Sequence, residues 1–162
     1  MTKKIVILGI GNVLLNDEGI GVKVIEYLQR HYEFPEEVEL VDGGTGGIGL
    51  LEFVEKADIL IVIDAINGGE PPGTVYKFSG KELPRSVVER LSLHEVNFLD
   101  ILDLAAMRGN LPEKIVIIGV EPKSLEMEAI LSPEVQAKIP ELADAVIGEL
   151  KALGVKNIRS LL

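Results

Sequence analysis

The stretch KIVILGIGNVLLNDEGIG, residues 4–21, decides the fold of this chain. Its first half is a run of apolar and β-branched residues that ends in glycine, as a buried strand does where it exits into a loop. Its second half leads through Asp17 and Glu18 into an amphipathic helical pattern. A strand, a glycine-containing loop and a helix in this order predict an α/β domain built on a parallel sheet.

The glycines of this stretch suggest a dinucleotide-binding loop, but their spacing does not fit one. The G-x-G-x-x-G fingerprint needs a third glycine where this chain has Leu14. Asp17 and Glu18 also place negative charge at the helix start, where a phosphate would otherwise bind. The simplest interpretation of this acidic pair is a helix cap. A nucleotide-binding enzyme stays as a disfavoured alternative, for which added nucleotide should raise the melting temperature.

The rest of the chain alternates predicted strands and helices. Apolar, β-branched segments predict buried strands at 4–10, 37–42, 58–66 and 114–120. Helical periodicity predicts helices from Ile20 to Leu28, from Ile48 to Val54, from Val96 to Ala105 and from Pro133 to Leu153. Residues 73–79 follow a Gly/Pro turn and predict an antiparallel edge strand. The pattern predicts one three-layer α/β/α domain over residues 1–162, with a twisted, mostly parallel five-stranded sheet carrying that antiparallel edge strand.

Composition limits the functions that this chain can have. Of its 162 residues, 47% are hydrophobic, which predicts a well-packed core rather than a disordered chain. The net charge of −10 disfavours nucleic acid as a partner. The chain has no cysteine, which excludes disulfides and thiolate sites and favours a cytoplasmic location. The first apolar run is too short for a signal or membrane segment, so no membrane insertion is expected.

Polar residues follow the predicted strands at the points where ligand sites lie in parallel sheets. Asp42 begins the glycine-rich box DGGTGG, Asp64 ends the third strand, and His94 precedes the next helix. With Glu18, the side chains of Asp64 and His94 offer two oxygens and one nitrogen, a set that suits a borderline divalent ion. Each residue taken alone also has a structural explanation, as a turn residue for Asp64 and a capping group for His94. His31, at the end of a predicted helix, is expected to be a solvated cation with no function.

These segments together resemble the hydrogenase maturation proteases, which process the large subunit of nickel-iron hydrogenases. The segments that carry the resemblance are GIGNVLLNDEGIGVKVIEYL, DGGTGG, IVIDAINGG and SLHEVNFLDIL. Their order and spacing agree with that family, and the resemblance continues through IVIIGVEPKSLEM and LSPEVQ. It covers essentially the whole chain.

The resemblance implies a metal-dependent endopeptidase whose metal ligands are Glu18, Asp64 and His94. In this family the precursor receives its nickel first, and the protease then removes a C-terminal extension. Nickel in the substrate is the implied recognition signal, so the ligands would dock onto a metal brought by the precursor, and other divalent ions could occupy the isolated protein. Such a metal could polarise the scissile carbonyl or activate a water. The glycine-rich box is implied to lie beside the cleft, where Asp42 could help to recognise the substrate or act directly.

Several alternatives to this function stay open at the level of sequence. The absence of cysteine, of G-x-S-x-G and of a second histidine after SLHEV disfavours thiol, serine and zincin-type proteases. An aspartic-protease pair of Asp42 and Asp64 is a minor alternative, on the condition that their strand ends are adjacent. A non-catalytic metal-sensing or chaperone-like module would need the same ligands. In the protease interpretation Asp17 caps the helix, Glu18 faces the cleft, and a monomer is the default expectation because a large partner must approach.

Overall fold

The computed structural model describes residues 3–11, 16–44, 47–80, 98–123 and 131–161. The strands are β1 Ile5–Ile10, β2 Tyr32–Glu33, β3 Val38–Gly44, β4 Ile59–Ala65, β5 Val75–Gly80, β6 Lys114–Val120 and β7 Arg159–Ser160. The helices are α1 Ile20–His31, α2 Leu50–Lys56, α3 Phe98–Met107, α4 Pro133–Gln136 and α5 Ile139–Ala152. Short 3-10 helices, Asn16–Gly19 and Gly47–Gly49, precede α1 and α2.

The main sheet has five strands in the order β3-β1-β4-β6-β5. The β1–β3, β1–β4 and β4–β6 pairs are parallel, and β5 is antiparallel to β6 at the edge. Every residue of β1 and β4 is buried, because helices cover both faces of the central strands. The predicted three-layer fold with an antiparallel edge strand is therefore confirmed.

The two faces of the sheet carry separate hydrophobic cores. Helices α1 and α5 pack on one face, against side chains such as Ile7 and Ile61. Helices α2 and α3 pack on the other face, against side chains such as Leu8 and Leu60. Alternate residues of each strand point to opposite faces, so the position of a residue in its strand decides which core it joins.

Strand β1 and helix α1 are in backbone contact at two glycines. A Cβ atom on Gly21 would lie 2.3 Å from the carbonyl oxygen of Ile63 and 2.5 Å from that of Ile10. A Cβ atom on Gly9 would lie 2.3 Å from the carbonyl oxygen of Gly21. Gly9 and Gly21 therefore allow the helix to pack directly on the strands. This packing explains both glycines without a bound phosphate.

The predicted helix over Pro133–Leu153 is wrong in one respect, because the structure divides it into α4 and α5. Pro140, near the start of α5, has no N–H, and its ring would clash with the carbonyl of Gln136 if one helix continued. The predicted stop is confirmed: Gly154 has φ 84, and its N–H donates to the carbonyl of Lys151 at 3.0 Å.

The predicted starts of the second and third helices differ from the first residues that the structure describes in α2 and α3. Ile48 was expected on the buried face of the second helix, but it lies in the 3-10 helix before α2 and is 67% exposed. The helix predicted from Val96 is α3, which is described from Phe98 onward, and Val96 itself lies outside the described residues. Among the residues that the structure describes, no helix has the length and apolar character needed to cross a membrane.

Replacing Gly21 by alanine should strongly destabilise the protein. The new methyl group would overlap two carbonyl oxygens of the sheet, and we expect the free energy of unfolding to fall by about 3 kcal/mol, the upper end for overpacked cores. Denaturant unfolding followed by circular dichroism measures this change.

Gly148→Ala is the matched control for this substitution. Gly148 lies within α5, and a Cβ atom there would meet nothing within 4 Å. The control should gain about 0.5–1 kcal/mol from the better helix propensity of alanine. Equal stability of the Gly21→Ala and wild-type proteins would contradict the close contact between helix and sheet.

Candidate functional site

A crevice is expected at the carboxyl ends of β1 and β4. After β1, the next strand in the main sheet is β3, which lies beside β1 toward one edge of the sheet. After β4, the next strands are β5 and β6, which lie toward the opposite edge. Such a reversal separates the two connections and opens a binding site between them. At this point Gly11, with φ 129, directly follows β1 and donates its N–H to the carbonyl of Gly44 at 2.9 Å.

Asp64 is the predicted site residue that the structure describes at this crevice. It is the second-last residue of β4 and is fully buried. By the alternation of side chains along β4, Asp64 shares the face of Leu60 and Val62, which is the face covered by α2 and α3. Asp64 pairs across the sheet with Gly119 of β6. The prediction that Asp64 ends a central strand is therefore confirmed.

The backbone of Glu18 lies near the end of the same strand, although its side chain is outside the described part of the structure. Glu18 belongs to the 3-10 helix Asn16–Gly19, which packs against β4. Three residues later, Gly21 contacts the carbonyl of Ile63, the neighbour of Asp64. The fold therefore brings the segment that carries Glu18 to the strand that carries Asp64.

His94 lies in the stretch 81–97, outside the described residues, but the direction of α3 is informative. Beyond the C-terminal end of α3, the N–H of Glu113 donates to the carbonyl of Asp58 at 2.9 Å, at the amino edge of the sheet. The opposite end of α3, at Phe98, therefore points to the carboxyl edge. Helix α3 also covers the face that Asp64 shares. The described start of α3 therefore lies on the edge and face of Asp64, and His94 precedes Phe98 by four residues in the sequence.

The predicted metal site remains a prediction. Among the side chains that the structure describes, no group of three or more His, Asp or Glu residues is placed to hold a metal ion. Of the predicted ligands Glu18, Asp64 and His94, only Asp64 has a described side chain. The finding therefore does not test the predicted set of three ligands.

Asp42 has a local structural role at the end of β3. Its side chain is exposed, and its Oδ1 accepts a hydrogen bond of 3.1 Å from the N–H of Gly44, which has φ 49. Strand β1 lies between β3 and β4, which separates Asp42 from Asp64 by two strand spacings, about 10 Å. The aspartic-protease alternative required the strand ends of Asp42 and Asp64 to be adjacent, and the structure contradicts this requirement. A role for Asp42 in substrate recognition stays a prediction.

Asp17 does not cap α1, contrary to the prediction from sequence. The residue at the start of α1 is Gly19, and no side chain caps the helix. Asp17 is fully buried instead, and its carboxylate accepts hydrogen bonds from the N–H of Lys123 at 2.7 Å, the N–H of Ser132 at 2.7 Å and the hydroxyl of Ser132 at 2.8 Å. The 3-10 helix separates Asp17 from α1, which explains why its carboxylate turns to the later segments.

Glu121 is a buried carboxylate at this edge that the sequence analysis missed. It follows β6 and is 4% exposed. Its Oε1 accepts hydrogen bonds from the N–H of Gly68 at 2.8 Å, the N–H of Glu70 at 3.1 Å and the hydroxyl of Tyr76 at 2.6 Å. Glu121 therefore fixes the loop that follows Asp64 and β4. The available signal was an acidic residue directly after a buried strand, the same signal that identified Asp64.

His31 lies in the last turn of α1, as predicted, but it is half-buried rather than fully solvated. Its ring stacks on Tyr27 with the centroids 3.9 Å apart, and Nδ1 lies 2.9 Å from the carbonyl oxygen of Tyr27. This position at the C-terminal end of α1 is far from the crevice at the other end of the helix.

Replacing Tyr76 by phenylalanine should weaken the loop after β4. The variant loses a hydrogen bond to a carboxylate, and we expect the free energy of unfolding to fall by about 1.5–3 kcal/mol at neutral pH. Burial and the bond to Glu121 raise the pKa of Tyr76 to about 12. Because this pKa is above the unfolded value of about 10, the stabilisation is complete below pH 10 and is lost as the pH rises toward 12.

Denaturant unfolding between pH 7 and pH 11 measures both effects. Tyr27→Phe is the control, since it keeps the ring that stacks on His31. Above pH 10, the difference in the free energy of unfolding between Tyr76→Phe and wild type should become smaller. A difference that stays constant with pH would contradict the bond to Glu121.

Comparison with known proteins finds relatives that align with nearly the whole chain. The family described as hydrogenase maturation protease matches residues 22–149. The hydrogenase expression/formation protein HupD of Thiocapsa roseopersicina is 42% identical over 154 residues, covering 94% of this chain and 70% of that protein. The hydrogenase 2 maturation protease of Escherichia coli strain K12 is 38% identical over 156 residues, covering 96% of this chain and 95% of that protein.

A solved structure shares both the fold and the sequence. The hydrogenase maturating endopeptidase HybD from E. coli superposes with a TM-score of 0.90 at 36% identity, over 98% of each chain. A family match over most of the chain, relatives near 40% identity and a shared fold lead to one conclusion: this chain belongs to the hydrogenase maturation protease family.

Proposed function

We propose that this chain is the endopeptidase that removes the C-terminal extension of a nickel-iron hydrogenase large-subunit precursor after nickel has been inserted. Membership of a protease family supports the reaction type, and the names of the relatives support a hydrogenase as the target of maturation. The observation that carries the proposal is the position of Asp64, a buried carboxylate near the carboxyl end of β4, where the strand order predicts a crevice beside β1.

Glu18, Asp64 and His94 are the residues that would contact the nickel of the precursor. The donor set fits that ion, since carboxylate oxygens and an imidazole nitrogen are ligands that borderline divalent metals accept. The described residues support this assignment, because the 3-10 helix of Glu18 packs against the strand of Asp64. A nickel ion bound there would supply an electrophile that polarises the scissile carbonyl or activates water.

The chain itself fixes the backbone of two of these residues, Glu18 and Asp64. Asp64 is held in a central strand, and Glu18 belongs to a segment whose following residues contact the backbone of β4 at Ile63. A site built on rigid elements binds a metal-loaded partner without first having to order itself. A precursor without nickel would lack the group that these residues recognise, so it would be left uncut.

The glycine-rich turn is the second part of the crevice that we expect to contact the precursor. Asp42 is exposed at the end of β3, and the large apolar side chain of Ile48 is exposed shortly after it. An exposed apolar side chain and a carboxylate after the end of β3 offer contacts for a peptide segment. We further propose that the protein acts in the cytoplasm as a monomer, because it has no cysteine and because the crevice must admit a protein partner.

The direct test of this function is a cleavage assay on the large-subunit precursor, with and without nickel. Loss of the C-terminal extension should occur in the nickel-loaded sample alone, as measured by mass spectrometry of the intact subunit. Cleavage of both samples would contradict recognition through nickel. Binding of the loaded precursor without cleavage would instead favour a metal-sensing or chaperone-like module.

Replacing His94 by alanine should abolish processing of the loaded precursor, because the nitrogen ligand is lost. We expect the initial cleavage rate to fall by at least about a hundredfold, as for the loss of an important catalytic group. His31→Ala is the matched control, since it changes the chain's other histidine at the far end of α1. The control should retain the wild-type rate, and processing by the His94→Ala protein at that rate would exclude His94 as a ligand.

A further inference from the structure

We infer that Asp17 is a positioning residue that fixes the backbone of the segment that carries Glu18. The inference rests on the proposed function, in which Glu18 contacts the metal of the precursor. Asp17 and Glu18 are consecutive residues of one 3-10 helix, Asn16–Gly19. Whatever holds the side chain of Asp17 therefore also holds the backbone from which Glu18 projects.

The carboxylate of Asp17 is held at both of its oxygens. Oδ1 accepts the N–H of Ser132 at 2.7 Å, while Oδ2 accepts the N–H of Lys123 at 2.7 Å and the hydroxyl of Ser132 at 2.8 Å. Hydrogen bonds to a charged acceptor are stronger than bonds between neutral groups. Since bonds to both oxygens fix the plane of the carboxylate, the side chain has little freedom to rotate.

The groups that hold Asp17 come from separate elements of the fold. Lys123 lies just beyond β6, and Ser132 immediately precedes α4. Ser132 stands where a helix-capping residue would, yet no side chain caps α4, and its hydroxyl donates to Asp17 instead. The capping interaction that Ser132 would ordinarily make with its own helix is thus replaced by a bond to the segment that carries Glu18.

A carboxylate suits this position because the two N–H groups and the hydroxyl described above are all donors. An asparagine would turn its NH₂ group toward at least one N–H, so at least one buried donor would lose its acceptor. With Asp17 fixed on Lys123 and Ser132, the backbone of the 3-10 helix that includes Glu18 is held where this helix packs against β4.

A purely structural role for Asp17 would have a different signature from a positioning role. A structural role would lower the stability of the whole protein and leave the affinity of the folded molecules for a metal unchanged. A positioning role would change the local order of residues 16–21 and the metal affinity together. Outer groups that orient metal ligands typically contribute 10–100-fold to metal affinity.

The test compares Asp17→Asn with the wild-type protein in two measurements, both made where circular dichroism shows the proteins to be folded. Hydrogen exchange should rise by about tenfold or more in the amides of residues 16–21, relative to those of β1 and β4. The dissociation constant for Ni²⁺ alone, from calorimetric titration, should rise about tenfold. Ser132→Ala, which removes only the hydroxyl bond, should raise hydrogen exchange and the dissociation constant for Ni²⁺ by smaller factors. It replaces Asp17→Asn in the test if that variant does not fold.

Glu149→Gln is the matched control, because it changes another buried carboxylate away from the crevice. Glu149 is 5% exposed and pairs with Lys77 at 2.6 Å and with Lys114, the first residue of β6, at 3.2 Å. This control should lower the melting temperature while leaving exchange in residues 16–21 and the affinity for Ni²⁺ at wild-type values.

The outcomes separate this inference from the proposed function. Wild-type affinity for Ni²⁺ in Asp17→Asn, or unchanged exchange in residues 16–21, overturns the positioning role of Asp17 alone. A wild-type protein that neither binds Ni²⁺ nor processes the loaded precursor overturns the proposed ligands, and the inference with them. Loss of affinity in both Asp17→Asn and Glu149→Gln would also overturn the inference, since it would trace the effect to general destabilisation.

Discussion

The contact between β1 and α1 at Gly9 and Gly21 is the constraint on which the crevice depends. The helix can lie directly on the backbone of β1 and β4 because neither residue has a side chain. This contact fixes the distance between the start of α1 and the carboxyl end of β4. The acidic segment before α1 is therefore held beside Asp64, and a larger residue at either glycine would push the two apart.

Buried carboxylates that accept several hydrogen bonds then organise the loops at this edge. Asp17 connects the segment before α1 to residues after β6 and before α4, and Glu121 connects the end of β6 to the loop after β4. Because buried N–H groups need acceptors, one carboxylate can satisfy several donors from loops that have no regular partners. Each of these residues stabilises chain segments at the carboxyl edge of the sheet, the edge at which Asp64 lies.

Glu149 uses its charge differently, on a part of the sheet away from the crevice. Burial acts to raise the pKa of Glu149, but the ammonium groups of Lys77 and Lys114 outweigh it and hold the pKa below its usual range. This carboxylate joins α5 to β5 and β6 through charge pairs. Asp17 and Glu121, in contrast, accept their bonds mainly from backbone N–H groups, which fix geometry more strictly than flexible lysine side chains do.

The sequence by itself determined the five strands of the main sheet, the helices α1 to α3, and the position of Asp64 at a strand end, because these follow from local periodicity and from where apolar runs stop. It also contained the motifs from which the family was recognised. Only the tertiary structure decided that Asp17 bonds to Lys123 and Ser132 and that Glu121 holds the loop after β4. It also decided that Asp42 and Asp64 lie on strands separated by β1. The partners of Asp17 are 106 and 115 residues away along the chain, and no local pattern records which distant N–H group a buried carboxylate will meet.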